Sequence, residues 1–169
     1  MGQLASPLAQ QTQPAGTSRV LLVDDQPEVR RVVRRSLAKA GYEVVEARNG
    51  RVAIELARES SFDLVISDVR MPDMSGIELL TALHEHDPDL PVVLTSGWPG
   101  PDGTLDAEAI GAFAYLQKPV PSDVMREAVR NAVERRRALQ ASREQFEPFV
   151  SLERLRVARS DDSDRDEPR

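Results

Sequence analysis

Asp24 and Asp25 follow the apolar run Val20-Leu21-Leu22-Val23, and Asp68 closes a second run, Leu64-Val65-Ile66-Ser67. Both runs have the length and composition of buried strands, so the three carboxylates stand where those strands emerge. Carboxylates packed together repel one another, and a proton or a hard cation relieves the repulsion. An all-oxygen set suits Mg²⁺ or Mn²⁺. Downstream, Ser96 follows Val92-Val93-Leu94-Thr95, and Lys118 follows Ala114-Tyr115-Leu116-Gln117 immediately before Pro119. Ligands of open α/β sheets bind at the carboxyl edge of the strands. Acids, a hydroxyl and a lysine at four strand ends therefore describe one phosphate-handling pocket.

Positioning these groups requires parallel strands that all emerge on one edge. From Arg19 to about Leu139, short apolar runs alternate with helical patterns, which predicts βα units and a doubly wound α/β fold with a five-stranded parallel sheet. The predicted strands are 19–23, 42–47, 63–68, 91–95 and 114–117. Pro27 fits a first helical turn, Asn49 caps a helix beginning at Gly50, and Ser75 with Glu78 forms a capping box. The glycines and prolines from Gly97 to Gly103 delay a fourth helix and leave it Leu105 to Ile110. A fifth helix follows Pro121-Ser122-Asp123, with Val124, Ala128, Val129, Ala132 and Val133 as its apolar stripe. Pro148 is predicted to interrupt it, and Phe149, Leu152 and Leu155 to mark a second short amphipathic piece.

With 169 residues, 40% of them hydrophobic, the chain can bury one good core. The expected organisation is a disordered leader over 1–18, rich in Gln, Pro, Ala, Ser and Thr, and one domain over 19–139. A helical extension and disordered acidic tail occupy 140–169. The absence of cysteine excludes disulfides and thiolate metal sites, which fits a cytoplasmic location. No apolar stretch reaches the roughly 20 residues of a membrane span. A formal charge of −6 disfavours broad nucleic-acid binding, although residues 126–143 hold six arginines against two glutamates.

The segments Val23-Asp24-Asp25, Asp68-Val69-Arg70-Met71-Pro72-Asp73-Met74-Ser75-Gly76, Thr95-Ser96-Gly97 and Lys118-Pro119 together resemble the receiver domain of two-component response regulators. Ser96 lies 28 positions and Lys118 50 positions after Asp68, spacings typical of that family, and the similarity spans roughly 70% of the chain. The resemblance implies a flavodoxin-like (βα)5 receiver fold and a phosphorylation-activated signalling switch. In it Asp68 is the phospho-acceptor, and Asp24, Asp25 and Asp68 hold Mg²⁺ together with the backbone carbonyl of Arg70. Lys118 neutralises phosphoryl oxygens, Ser96 and Tyr115 are the moving parts of the switch, and Lys118-Pro119 is a cis peptide. Thr95 competes with Ser96 for the switch role. The phosphoryl donor is a histidine kinase or phosphotransfer protein, and the output is contact with a downstream protein partner; a homodimer stays open. Arg70 and Trp98 occupy positions that in this family resemble gates on the hydrolytic water.

Two other function classes are weighed. A Mg²⁺-dependent phosphohydrolase of the haloacid-dehalogenase type wants Asp-x-Asp after its first strand, where this chain has Asp24-Asp25-Gln26. A DNA-binding regulator would use the arginine-rich helix, but no base-reading side chains are identifiable there. Arg126, Arg130 and Arg135 to Arg137 read as a solvated helix face, and His84 and His86 as favourable charge at a helix C-terminus.

Overall fold

The computed structural model describes residues 16–97 and 110–160, the side chains of 146–160 excepted. Five strands, β1 (Arg19–Val23), β2 (Glu43–Ala47), β3 (Leu64–Asp68), β4 (Val92–Ser96) and β5 (Ala114–Gln117), form one parallel sheet in the order β2-β1-β3-β4-β5. The helices are α1 (Pro27–Lys39), α2 (Gly50–Glu59), α3 (Gly76–His86) and α4 (Ser122–Ser160). The predicted strands are all found, within about a residue at each end. The fourth helix of the sequence reading, apart from Ile110, lies outside the described residues, so α4 is the helix expected after Pro121.

Alternation along each strand sorts the core into two layers. Leu21, Val23, Val65, Val92 and Leu94 pack with Ala53 of α2 and Leu79, Leu80 and Leu83 of α3. Val20, Leu22, Leu64, Ile66 and Val93 pack with Leu37 of α1 and with Met125, Val129, Ala132 and Val133 of α4. Strand order reverses between β1 and its two neighbours, which opens a crevice beyond the carboxyl ends of β1 and β3. The register pairs Val23 with Ser67, so the next step along both strands brings Asp24 beside Asp68.

The helix starts follow the chemistry of their sequences. Pro27 opens α1, the Asn49 side chain accepts from the Val52 amide, and Ser75 and Glu78 cap α3 reciprocally. Two expectations for the last helix fail. Pro148 does not interrupt α4, which runs unbroken to Ser160. The carbonyl of Glu144 loses its amide partner to the proline, but Glu144 is exposed and water can replace that bond.

The arginines are also not simply a solvated face. Arg136 is buried and bonded through both terminal nitrogens to Asp87, Nη1 to Oδ1 at 2.9 Å, in the α3–β4 connection. Arg135 lies over the Phe113 ring at 5.8 Å, and Arg137 donates to Ser18 Oγ at 2.8 Å. Arg143 pairs with Asp89. These arginines together clamp α4 to the amino edge of the sheet, whereas Arg126 and Arg130 are exposed as expected.

Candidate functional site

Each of the three acids reaches the carboxyl edge by a different backbone device. Asp24 is buried just past β1, where its Oδ1 accepts from the Gln26 amide at 2.8 Å and so closes the turn into α1. Arg30, one turn into that helix, donates to the Asp24 carbonyl at 2.6 Å and to Glu46 of β2 at 3.2 Å. Asp25 is exposed at the mouth, and Asp68 is buried as the last residue of β3. Carboxylate oxygens of Asp24, Asp25 and Asp68 all lie within 4.8 Å of one another.

Lys118 completes the cluster from β5. It follows that strand directly, its amide donates to the Ser96 carbonyl at 2.7 Å, and it precedes a cis bond to Pro119, as expected. Its ammonium donates to Asp24 Oδ2 at 2.8 Å and lies 3.2 Å from Asp68 Oδ1. Burial draws the Lys118 pKa down, but hydrogen bonding and charge from Asp24, then from Asp68, outweigh it and leave the group above its ordinary value. For Asp68 burial dominates and pushes the carboxyl up; Lys118 opposes this, and Asp24 and Asp25 add to it. Lys118 therefore only partly offsets the burial of Asp68 and its repulsion by the neighbouring acids. Hard oxygen donors in surplus fit a divalent cation of the Mg²⁺ type.

The loop between Asp68 and α3 is held at several points. The Gly76 amide donates to the Val69 carbonyl at 2.9 Å, and a Cβ on Gly76 would fall under 3.0 Å from the backbone oxygen of Asp68. Glycine is required there by close backbone approach. Asp73 leaves the loop altogether and caps α2, with Oδ1 accepting from Gly50 N at 3.3 Å and Oδ2 from Arg51 N at 3.0 Å. Arg70 is exposed.

Ser96 and Thr95 are both buried at the end of β4, on opposite faces of the sheet. Thr95 shares the α1 and α4 face and lines a cleft of about 540 Å³ with Lys118 and Asp24. Ser96 follows Leu94 on the α2 and α3 face, where the half-buried Tyr115 packs against the core. The two residues named as switch partners therefore lie on the same side of the sheet. Trp98 lies outside the described residues.

Sequence reasoning missed Arg30 and the remote cap by Asp73, because neither has a local signal. His84 does more than supply charge to a helix end, since its Nε2 lies 2.9 Å from the Leu90 carbonyl.

A doubly wound sheet with an acid triad and a lysine at its switch point defines a phosphate-handling signalling fold. The sequence profile of the response regulator receiver domain matches residues 20–130, and the chain belongs to that family. It is 39% identical over 126 residues to the C4-dicarboxylate transport transcriptional regulatory protein DctD of Pseudomonas aeruginosa, covering 75% of this chain and 27% of that one. It is also similar to a solved response regulator receiver domain protein from Clostridium thermocellum, at 30% identity and a TM-score of 0.68, covering 72% of this chain and 98% of that one. The response regulator TrrA of Thermotoga maritima, solved in complex with Mg²⁺-BeF, gives 30% identity and a TM-score of 0.62, covering 68% of this chain and 98% of that one. The chain spans about a quarter of the length of the curated relatives it matches. The chain is thus a receiver domain of two-component response regulators, and no helix among the described residues is long and apolar enough to cross a membrane.

Proposed function

We propose that this chain is a phosphorylation-activated switch in which Asp68 accepts a phosphoryl group from the phosphohistidine of a histidine kinase or phosphotransfer protein. The observation that carries the reading is the approach of three carboxylates to within 4.8 Å, with Lys118 bridging Asp24 and Asp68. An Asp68 oxygen forms the new bond to phosphorus as the donor's P–N bond breaks, and the imidazole leaves with the electron pair. Lys118 sits 3.2 Å from Asp68 Oδ1, where it can hold its charge against the phosphoryl oxygens. Asp24, Asp25, Asp68 and the Arg70 carbonyl are the groups that would hold Mg²⁺, a reading supported by the Mg²⁺-BeF complex of TrrA. Bound there, Mg²⁺ supplies Lewis-acid neutralisation of phosphoryl charge.

Ser96 then turns toward the phosphoryl group, and Tyr115, on the same sheet face, follows it inward. Residues 19–139 form the switch, and α4 carries the output beyond it to a downstream protein partner, in the cytoplasm. The chain acts as a switch, with no catalytic turnover of its own substrate. The partners that Arg135 to Arg137 have within the domain weigh against a nucleic-acid role for that run.

Incubation with a small acyl-phosphate donor and Mg²⁺ should add one phosphoryl group by intact mass, and Asp68→Asn should remove it. Asp25→Ala should raise the Mg²⁺ concentration needed. Full, base-labile phosphorylation of the Asp68→Asn protein would overturn the assignment.

A further inference from the structure

The first turn of α2 is capped from two places. Its first three amides, Gly50, Arg51 and Val52, have no carbonyl one turn back to donate to, and Ala53 is the first that does. Ala53 donates to the Asn49 carbonyl at 3.2 Å and Val52 to the Asn49 side chain at 2.9 Å. The other two are taken by Asp73, which lies 22 residues beyond Arg51 in the loop that follows the acceptor strand. Met74 adds a packing contact at the same point, because a Cβ on Gly50 would fall under 3.0 Å from its Cγ and Sδ. The base of the loop is closed by Gly76 on Val69, and its exit is capped by Ser75 and Glu78. At the tip, Asp73 and Met74 reach out of the loop to α2.

We propose that Asp73 is a positioning residue for the acceptor loop: its bridge to the first turn of α2 holds the segment carrying Arg70 in the geometry that binds the cation. The inference rests on the receiver reading of the site and names a further part of it. Two backbone amides of a helix N-terminus pull on one carboxylate, and the positive end of the helix dipole favours its charge. Burial pushes the Asp73 carboxyl up, but the amides of Arg51 and Gly50, with those of Met74 and Asp73 itself, together outweigh it and leave the group below its ordinary value. Coupling of this kind is reciprocal, so a cation that orders the loop must also steady the first turn of α2. Asn49 remains in place when Asp73 is removed, so α2 keeps its cap on Val52 and the variant should fold.

The test compares the full chain with Asp73→Ala and Asp73→Asn, using Mg²⁺ alone as the probe. Calorimetry gives the Mg²⁺ affinity, and an acyl-phosphate donor gives the half-saturating Mg²⁺ and the rate at saturation. Asp73→Ala should weaken Mg²⁺ binding about five-fold, the worth of one net hydrogen bond, and leave the saturating rate within about two-fold. Asp73→Asn keeps one oxygen for one of the two N–H groups and turns its NH2 toward the other, so that variant should recover only part of the affinity. Mg²⁺ should slow hydrogen exchange at the amides of 50–52 in the parent and not in Asp73→Ala. Unchanged affinity in Asp73→Ala would overturn the latch, and so would hydrogen exchange at 50–52 that Mg²⁺ slows equally in the parent and in Asp73→Ala. A parent that takes up no Mg²⁺ would instead sink the cation reading beneath it.

Discussion

Replacing Gly76 by alanine should strain the backbone of β3 itself. A Cβ built there falls under 3.0 Å from the Asp68 carbonyl oxygen, and 3.1 Å from both the Asp68 carbonyl carbon and Ser67 Oγ. Two of the three atoms are backbone, so no side-chain rotation relieves the contact. Overpacking of this kind costs about 1–3 kcal/mol, and relief by moving the loop would sacrifice the Gly76 to Val69 hydrogen bond, worth about 0.5–1.5 kcal/mol. Against this, alanine gains at most about 1 kcal/mol of helix propensity, and less at a first-turn position. The steric cost wins, and the net expectation is destabilisation of about 1–2 kcal/mol. Urea unfolding should show a lower midpoint with an unchanged slope, since the surface exposed on unfolding is the same. Gly97→Ala is the internal control: a Cβ there meets nothing within 4 Å, so its midpoint should not fall. Phosphorylation by a small donor should slow in Gly76→Ala, because the displaced carbonyl belongs to Asp68, the proposed acceptor. A midpoint equal to or above the parent's would refute the close approach of α3 to the end of β3.

Two further outcomes follow from burial and pairing. Asp68→Asn should raise the cation-free melting temperature at neutral pH, because burial lifts the Asp68 carboxyl above its ordinary value of 3.8 and makes its charged form a cost in the folded state. The native state binds the extra proton, so the parent's deficit is full above the raised folded value and vanishes below 3.8; thermal melts across that window check it, and a constant difference would contradict it. Arg136→Ala should cost about 2 kcal/mol, below the 3–5 expected when a fully buried pair is broken, because the Asp87 side chain is 35% exposed and water can recover it. Hydrogen exchange should then quicken along α4 from about residue 136 onward, and a variant as stable as the parent would remove the clamp.

Much of the fold was legible because its signals are local. Apolar runs of strand length, a proline at a helix start, an asparagine cap and a capping box each act within a few residues, and each was found where the spacing put it. The candidate site was legible for a related reason: a parallel sheet delivers every strand end to one edge, so residues closing four runs must meet. Asp24, Asp25, Asp68 and Lys118 do meet. Long-range pairings were not legible. Nothing near Asp73 in sequence marks it as a cap for α2, and nothing in Arg135-Arg136-Arg137 distinguishes a solvated run from three arginines with three separate partners. A proline within a helix pattern is likewise ambiguous, since its cost depends on whether water can reach the carbonyl it leaves behind.

The arginine clamp changes what α4 can transmit. A helix held only by its apolar stripe could roll on the sheet, because apolar contacts have no preferred direction. Arg136 removes that freedom with a two-point bond to Asp87, whose geometry is directional. Arg135 and Arg137 fix the neighbouring sides, one against Phe113 at the start of β5 and one against Ser18 before β1. The orientation of α4 is therefore tied to the amino ends of β1 and β5 at once, at the end of the sheet opposite the carboxylates. A rearrangement of β5 around Tyr115 and Lys118 would reach Phe113 through four strand residues, and the clamp would carry it into the helix that continues to Ser160.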